Sequence, residues 1–282
     1  MALRPKISII LPVLNMECYL SGTLEALLAQ DAITQDDEII VVDNGSTDGS
    51  IDIAKRYQQV DLLFQPVRGS YAARNLGIKS AKGEIILFLD PDCRPRKHWL
   101  AAALTSFQDP GVEILLGKRN YGKQNKSLSL LAAYENQKIQ WILSQGKPSY
   151  VYGYTNNMAV RRSLFERLGL FQERLRGGDT IFVQKVVHAL TPSVVKFNPQ
   201  MEIDHMEITS IDHYYSKRAV YGASNEHLTA EVPFQPLSNR HRLTIFFALI
   251  GRNILNPWDA FLLILLLIPG AVIYERARGE AK

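Results

Sequence analysis

Over residues 1–120, short apolar runs alternate with segments whose apolar positions recur every three or four residues. The first pattern reads as buried strand and the second as amphipathic helix. Residues 7–11 form a strand, 20–30 a helix and 38–42 a second strand. Asp48 is placed to cap a helix carrying Ile51, Ile53, Ala54 and Tyr57. Residues 60–64 are a third strand, 71–81 a helix and 84–89 a fourth strand with the composition of a core element. Pro95 fits the first turn of a helix containing Trp99, Leu100 and Leu104, and residues 112–116 make a fifth strand. This β-α-β-α order predicts an α/β fold with a doubly wound, mostly parallel, Rossmann-like sheet.

Beyond residue 120 the pattern loosens. Residues 128–143 read as a helix, 155–160 as a strand feeding a helix at Ser163-Leu164-Phe165, 179–189 as a helix and 194–197 as a strand. Residues 209–228 form a long polar helix carrying Tyr214, Tyr215, Lys217, Arg218 and Tyr221. An apolar run at 243–250 precedes a longer one at 258–274, broken by Asp259 and interrupted at Pro269-Gly270. Roughly 17 residues is the short limit for a spanning helix, and Trp258 and Tyr274 sit at its ends like interfacial aromatics. The polar helix offers no evident apolar face to cover this run. It is therefore expected to attach the protein to a membrane, by spanning it or lying on it; a core helix packed on the domain is the other reading. Residues 1–230 are expected to form the α/β domain, with a nucleotide-binding half over about 1–120 and an acceptor half over about 121–230. Residues 231–282 are the expected helical tail.

Composition narrows the function. A chain of 282 residues, 46% hydrophobic and 21% charged, can bury a full core. A formal charge of +4 gives no support for nucleic-acid binding. Cys18 and Cys93 lie far apart, which points to a reducing compartment. Residues 1–6 run straight into a strand without a leader pattern, so the cytoplasmic side of the membrane is expected.

The candidate chemistry lies where strands end, since ligands of open α/β sheets bind at the strands' carboxyl ends. Asp90-Pro91-Asp92 follows the fourth strand. Its two carboxylates project to one side if strand geometry persists through Asp92. Hard oxygen donors of this kind suit Mg²⁺ or Mn²⁺, and that ion suits a diphosphate; a surface turn is the other reading. The loops after the first three strands are rich in small and polar residues: Pro12 to Glu17, Asp43 to Ser50, and Arg68-Gly69-Ser70. None matches a dinucleotide fingerprint, a P-loop or a Ca²⁺ loop.

Taken together, Pro12-x-x-Asn15, Val42-Asp43-Asn44-Gly45-Ser46-Thr47-Asp48, Ala73-Arg74-Asn75-x-Gly77 and Phe88-Leu89-Asp90-x-Asp92 resemble the family 2 glycosyltransferases of GT-A fold. The likeness continues at Asn157-x-Ala159-x-Arg161-Arg162, Gly169-x-Phe171-x-Glu173, Gly178-Asp179 and His205, covering roughly residues 7–205. The resemblance implies metal-dependent, inverting transfer of a sugar from a UDP- or GDP-linked donor to a hydroxyl. The acceptor would be lipid-linked or part of glycan or polysaccharide assembly.

By the same resemblance Asp90 and Asp92 hold the metal, His205 completes its site and Asp179 is the general base. Gly178 stands where the family often has Glu. Pro12, Asn15, Asp43 and Arg74 line the nucleotide, with Asp43 accepting from the base, and Lys217 and Arg218 close over the diphosphate. Read as residues alone, Asp43 also fits an Asx-turn, Asp179 a helix N-cap and His205 a structural role. A processive synthase would carry a Gln-x-x-Arg-Trp motif, which does not occur after Asp179. A nucleotidyltransferase and a non-catalytic nucleotide-sugar-binding module are the remaining alternatives.

Overall fold

The computed structural model describes residues 5–122, 124–251 and 255–281; residues 1–4, on which the leaderless reading partly rests, lie outside them. The elements run β1 (Ile7–Val13), α1 (Glu17–Leu28), β2 (Glu38–Asp43), α2 (Ser50–Lys55), β3 (Val60–Phe64), α3 (Ser70–Ser80) and β4 (Ile85–Leu89). Then come β5 (Cys93–Pro95), α4 (Trp99–Ser106), β6 (Ile114–Tyr121), α5 (Lys126–Ser144), β7 (Asn157–Arg161), α6 (Arg162–Leu168), α7 (Gly178–Ala189) and β8 (Val195–His205). Three helices close the chain: α8 (Ile211–Glu231), α9 (Asn239–Gly251) and α10 (Pro257–Glu280).

One sheet holds all eight strands in the order β3-β2-β1-β4-β7-β6-β8-β5. The first four are parallel; β7 runs antiparallel to both its neighbours, and β5 is antiparallel to β8. Side chains alternate across the sheet, as strand geometry requires. Ile85, Leu87 and Leu89 therefore pack with α1 and α4, while Ile86 and Phe88 pack with α3, α6 and α7. Parallel strands covered on both faces read as continuous apolar runs, which is why β1, β2 and β4 are so evident in the sequence.

Local expectations fail in three places. Gly49, not Asp48, is the N-cap of α2; the Asp48 carboxylate instead accepts from the Glu17 and Ser50 amides. Pro95 closes β5, and α4 starts only at Trp99. Pro269 sits inside α10 without ending it.

The tail does find a face on the body. Helix α10 lies along α8, where Gly222 has no Cβ to hold off the Tyr274 carbonyl. Polar contacts complete the seam: Asn225 to the Tyr274 hydroxyl (2.8 Å), the Tyr215 hydroxyl to the Leu266 carbonyl (2.9 Å) and Arg278 to Glu226 (2.7 Å). Leu263 and Leu266 join Ile245, Phe246 and Leu249 of α9 and Leu128 and Leu131 of α5 in one apolar cluster. Toward α8, then, α10 is seated by a small residue and hydrogen bonds, and toward α5 and α9 by apolar packing. The outward side of α9 and α10 stays bare: Leu243, Phe247, Phe261, Leu265, Ile268 and Val272 are exposed, and Trp258 is 79% exposed. By length and composition α10, with mean hydropathy 1.9, is able to cross a membrane.

The seam makes a prediction about Gly222. Within a helix, Gly→Ala ordinarily stabilises by about 1 kcal/mol. Here the new methyl meets backbone, and overpacking costs typically 1–3 kcal/mol. Gly222→Ala is expected to lower the melting temperature and speed proteolytic loss of the tail. A variant that melts higher than the parent contradicts this packing.

Candidate active site

Strand geometry does not continue through Asp92. β4 stops at Leu89, and the chain turns tightly enough for the Cys93 amide to donate to the Asp90 carbonyl (2.9 Å). The two carboxylates are thereby given different surroundings. Asp90 is half-buried and receives the Arg74 guanidinium, with Nη2 2.5 Å from Oδ1. Asp92 is 6% exposed and makes no such pair with Lys or Arg among the described residues. Burial pushes it up to about 7, helped by the charges of Asp90 and Glu207.

The group facing Asp92 is His205, at the end of β8. Register brings it there: β8 pairs with β6 through Gly117↔Asn198, slips, and resumes at Lys118↔Glu202, so that His205 stands beside Cys93 of β5. Asn157 fills the space above Gly117 and ties both sides of the slip, donating to the Lys118 and Met201 carbonyls (2.9 Å each). Its own carbonyl accepts from the Trp99 indole (2.8 Å). His205 Nδ1 lies 3.5 Å from Asp92 Oδ2, is buried and has no hydrogen-bond partner. Burial drives the ring down to about 4, so it is neutral at pH 7. A neutral imidazole nitrogen and a buried carboxylate oxygen, both short of partners, suit a divalent ion. The Cys93 sulfur is close by, but burial keeps the thiol protonated and it donates to Asp92 (3.4 Å).

The other expected residues fall into two groups. Pro12 lies in β1 beside Val42, and Asn15 follows in a left-handed turn (φ 54°) that asparagine tolerates. The Asn15 side chain accepts from the Thr47 amide (2.8 Å). Asp43 ends β2 and accepts from the Gly45 and Ser46 amides at 3.0 and 3.2 Å. The turn geometry is therefore real, and Asn44 ties in the third loop, donating to the Val67 carbonyl and accepting from the Gly69 amide (2.7 Å each). Arg74 is buried rather than solvated.

Asp179 is the second residue of α7, behind Gly177, so it is not the N-cap. Its oxygens accept from the Thr155 amide (3.2 Å) and the Thr180 amide (2.8 Å). Burial raises its pKa, while Tyr71 and Arg74 pull it back. Asp179, Asp90, Arg74 and Tyr71 all line one cavity of about 720 Å³. Glu173 instead accepts from Asn75 (3.1 Å).

Lys217 and Arg218 are adjacent in sequence but part company in space. Lys217 pairs with Glu207 (2.8 Å), while Arg218 reaches Glu135 (3.6 Å) and covers the Tyr274 ring. Sequence reasoning missed Glu207, although a second acid two residues after His205 was a usable signal. It also missed Arg119, Glu135 and Lys138, which line the same cavity. Nothing marked Arg119, because the strand was expected to end at residue 116 whereas β6 runs on to Tyr121.

The model of the glycosyl transferase family 2 matches residues 8–169. Glycosyltransferase AglE of Haloferax volcanii is 31% identical over 193 residues, covering 66% of this chain and 62% of that protein. The chain spans less than two thirds of the length of the curated relatives it matches. A mannosyltransferase from Pyrobaculum calidifontis, solved with GDP-Man and Mn²⁺, superposes with a TM-score of 0.65 at 20% identity, covering 99% of this chain and 84% of that one. Glucosyl-3-phosphoglycerate synthase from Mycobacterium tuberculosis, solved with Mn²⁺, UDP-Glc and phosphoglyceric acid, gives 0.55 at 20% identity over 77% and 78%. These likenesses show a shared fold. The match over more than half its length shows that the chain belongs to glycosyl transferase family 2.

Proposed function

We propose that the protein transfers a sugar, with inversion, from a UDP- or GDP-linked donor to a hydroxyl of a lipid-linked acceptor at the cytosolic face of a membrane. The observation that carries this reading is the single cavity joining Asp90 and Arg74 at one end of the sheet to the carboxylate of Asp179. The Asn15, Asp43 and Thr47 rim offers the nucleoside its polar contacts, and Asp43 keeps lone pairs free for a base N–H. Asp90, Asp92 and His205 would hold Mn²⁺ or Mg²⁺, which neutralises charge developing on the departing diphosphate. The neighbours solved with Mn²⁺ and a nucleotide sugar support this assignment. Lys217, paired with Glu207, adds a positive charge near Asp92. Arg74 holds Asp90 in place and lies beside Asp179.

Asp179 takes the proton from the acceptor hydroxyl at its carboxylate. Two backbone amides fix its direction, and burial keeps it basic enough to accept a proton. The bare side of α9 and α10 would rest against the lipid, with residues 1–230 as the transferase domain and 231–282 as the attaching tail. The acid chemistry of the site and the tail together favour this reading over a nucleotidyltransferase or a silent binding module.

Release of UDP or GDP from a panel of nucleotide sugars, measured with Mn²⁺, tests the transfer. Loss of a general base costs about 10²–10⁴-fold in rate, and Asp179→Asn should fall in that range while still binding donor. Asparagine leaves one of the two amide donors unmatched, so a melting curve accompanies the assay. Near-parental turnover in Asp179→Asn removes it from the reaction. Tyr71→Phe gives the pH test. The base works ionised, so the rate falls as pH drops through its pKa; Tyr71 stabilises the ionised form. Removing the hydroxyl should move the acidic limb to higher pH, and a limb that stays or moves down contradicts the role.

Membrane attachment has its own measurement. The full chain should float with liposomes, and paired Phe261→Asp and Ile268→Asp changes should release it. A full-length chain that stays with the soluble fraction assigns the bare face to something else.

A further inference from the structure

The cavity holds a second group of charges besides Asp90, Arg74 and Asp179. Arg119 on β6, Glu135 and Lys138 on α5, and Arg218 on α8 all line it. Glu135 takes the Lys138 ammonium, the Tyr214 hydroxyl (3.1 Å) and Arg218 (3.6 Å). Burial pushes Glu135 up, but Lys138 and Arg218 outweigh it and hold the acid at about 2. One carboxylate therefore serves three cations, and Arg119 feels it only at a distance, without a direct ion pair among the described residues. Arg119 is 8% exposed, its guanidinium makes no ion pair or hydrogen bond among the described residues, and its buried Nε has no partner. The guanidinium rests over the Tyr154 ring at 3.8 Å, and its strand position is fixed by Asn136, which bonds the Arg119 amide and carbonyl.

A buried guanidinium with no direct anionic partner is an expensive arrangement, and an anion that reaches it would relieve the cost. Burial likewise draws Lys138 down to about 8 despite Glu135 beside it. The donor's diphosphate already has Arg74 and Lys217 near the Asp90-Asp92 turn, so this second set is left for another ligand. The rest of the cavity wall says what that ligand is like. From the charged group the wall passes to Leu243, Phe246 and Phe247 of α9 and to Ile264, Ile268 and Val272 of α10. Leu243, Phe247, Ile268 and Val272 also belong to the bare outer face. One continuous surface thus has cations within and hydrocarbon toward the outside.

We propose that the Arg119–Lys138–Arg218 group binds the phosphate head of an apolar-chain acceptor, with Arg119 as the principal contact. This rests on the transfer reading above and gives its acceptor a chemical class. The phosphate meets the planar guanidinium fork, Lys138 adds a second donor, and the chain leaves between α9 and α10 toward the lipid.

Calorimetric titration of the full chain in detergent tests it with three probes: farnesyl phosphate, farnesol and inorganic phosphate. Farnesyl phosphate should bind much more tightly than either of the others. Equal binding of farnesol overturns the anion site, and equal binding of inorganic phosphate overturns the lipid source. Losing a charge-assisted contact costs on the order of 10–100-fold in affinity, so Arg119→Gln should weaken farnesyl phosphate by that factor. Unchanged affinity, or a loss confined to UDP, overturns the assignment. The wild-type comparison of phosphate with alcohol decides the matter even where Arg119→Gln does not fold. UDP and GDP binding with Mn²⁺, measured in parallel on the wild type, fails only if the donor reading fails.

Discussion

Asp92 is a carboxylate buried beside another carboxylate, and much of the surrounding structure answers that constraint. Burial disfavours its ionised form, and the charges of Asp90 and Glu207 add repulsion. The nearby cations are already engaged: Arg74 with Asp90, Lys217 with Glu207. His205, facing Asp92, is neutral. The field left at Asp92 is negative, His205 Nδ1 has no hydrogen-bond partner, and a divalent cation would relieve both. The same logic with opposite sign governs Arg119 in the cavity wall, buried with no direct ion pair among the described residues.

The fold brings these groups together through a few placements. The turn after β4 separates Asp90 from Asp92, so that one meets Arg74 and the other meets β8. The slip between β6 and β8 lets a strand that starts at Val195 arrive at His205 beside Cys93. Asn157 holds the slip open with its amide and is itself held by Trp99. Helices α8 and α10 then close the cavity from the other side, with Gly222 allowing their backbones to approach.

What the sequence made legible was local. The paired alternation of Ile85, Leu87 and Leu89 against Ile86 and Phe88 marks β4 as buried on both faces, and the acids that follow mark a strand end. The loops after β1 and β2 announced themselves through Asn15, Asp43 and Ser46, whose side chains do bind neighbouring amides. What stayed hidden depends on distant partners. The strand expected over 194–197 runs on to His205, past Pro199, because pairing with β6 slips there and resumes at Glu202. The α8 seam was hidden because Gly222 and Asn225 hold α10 by close approach and hydrogen bonds, which leave no hydrophobic stripe. Lys217 and Arg218 looked equivalent as neighbours, yet a helix turns successive residues by about 100° and sends them to different carboxylates.

The central claim is that Asp92 and His205 together take up a divalent ion. Pulsed electron paramagnetic resonance of Mn²⁺ bound with UDP tests it most directly. The wild-type spectrum should show a directly bonded nitrogen, His205→Ala should lose that coupling, and Asp92→Ala should no longer retain the ion. A bound Mn²⁺ with no nitrogen coupling in the wild type, or equal retention by Asp92→Ala, would contradict the account.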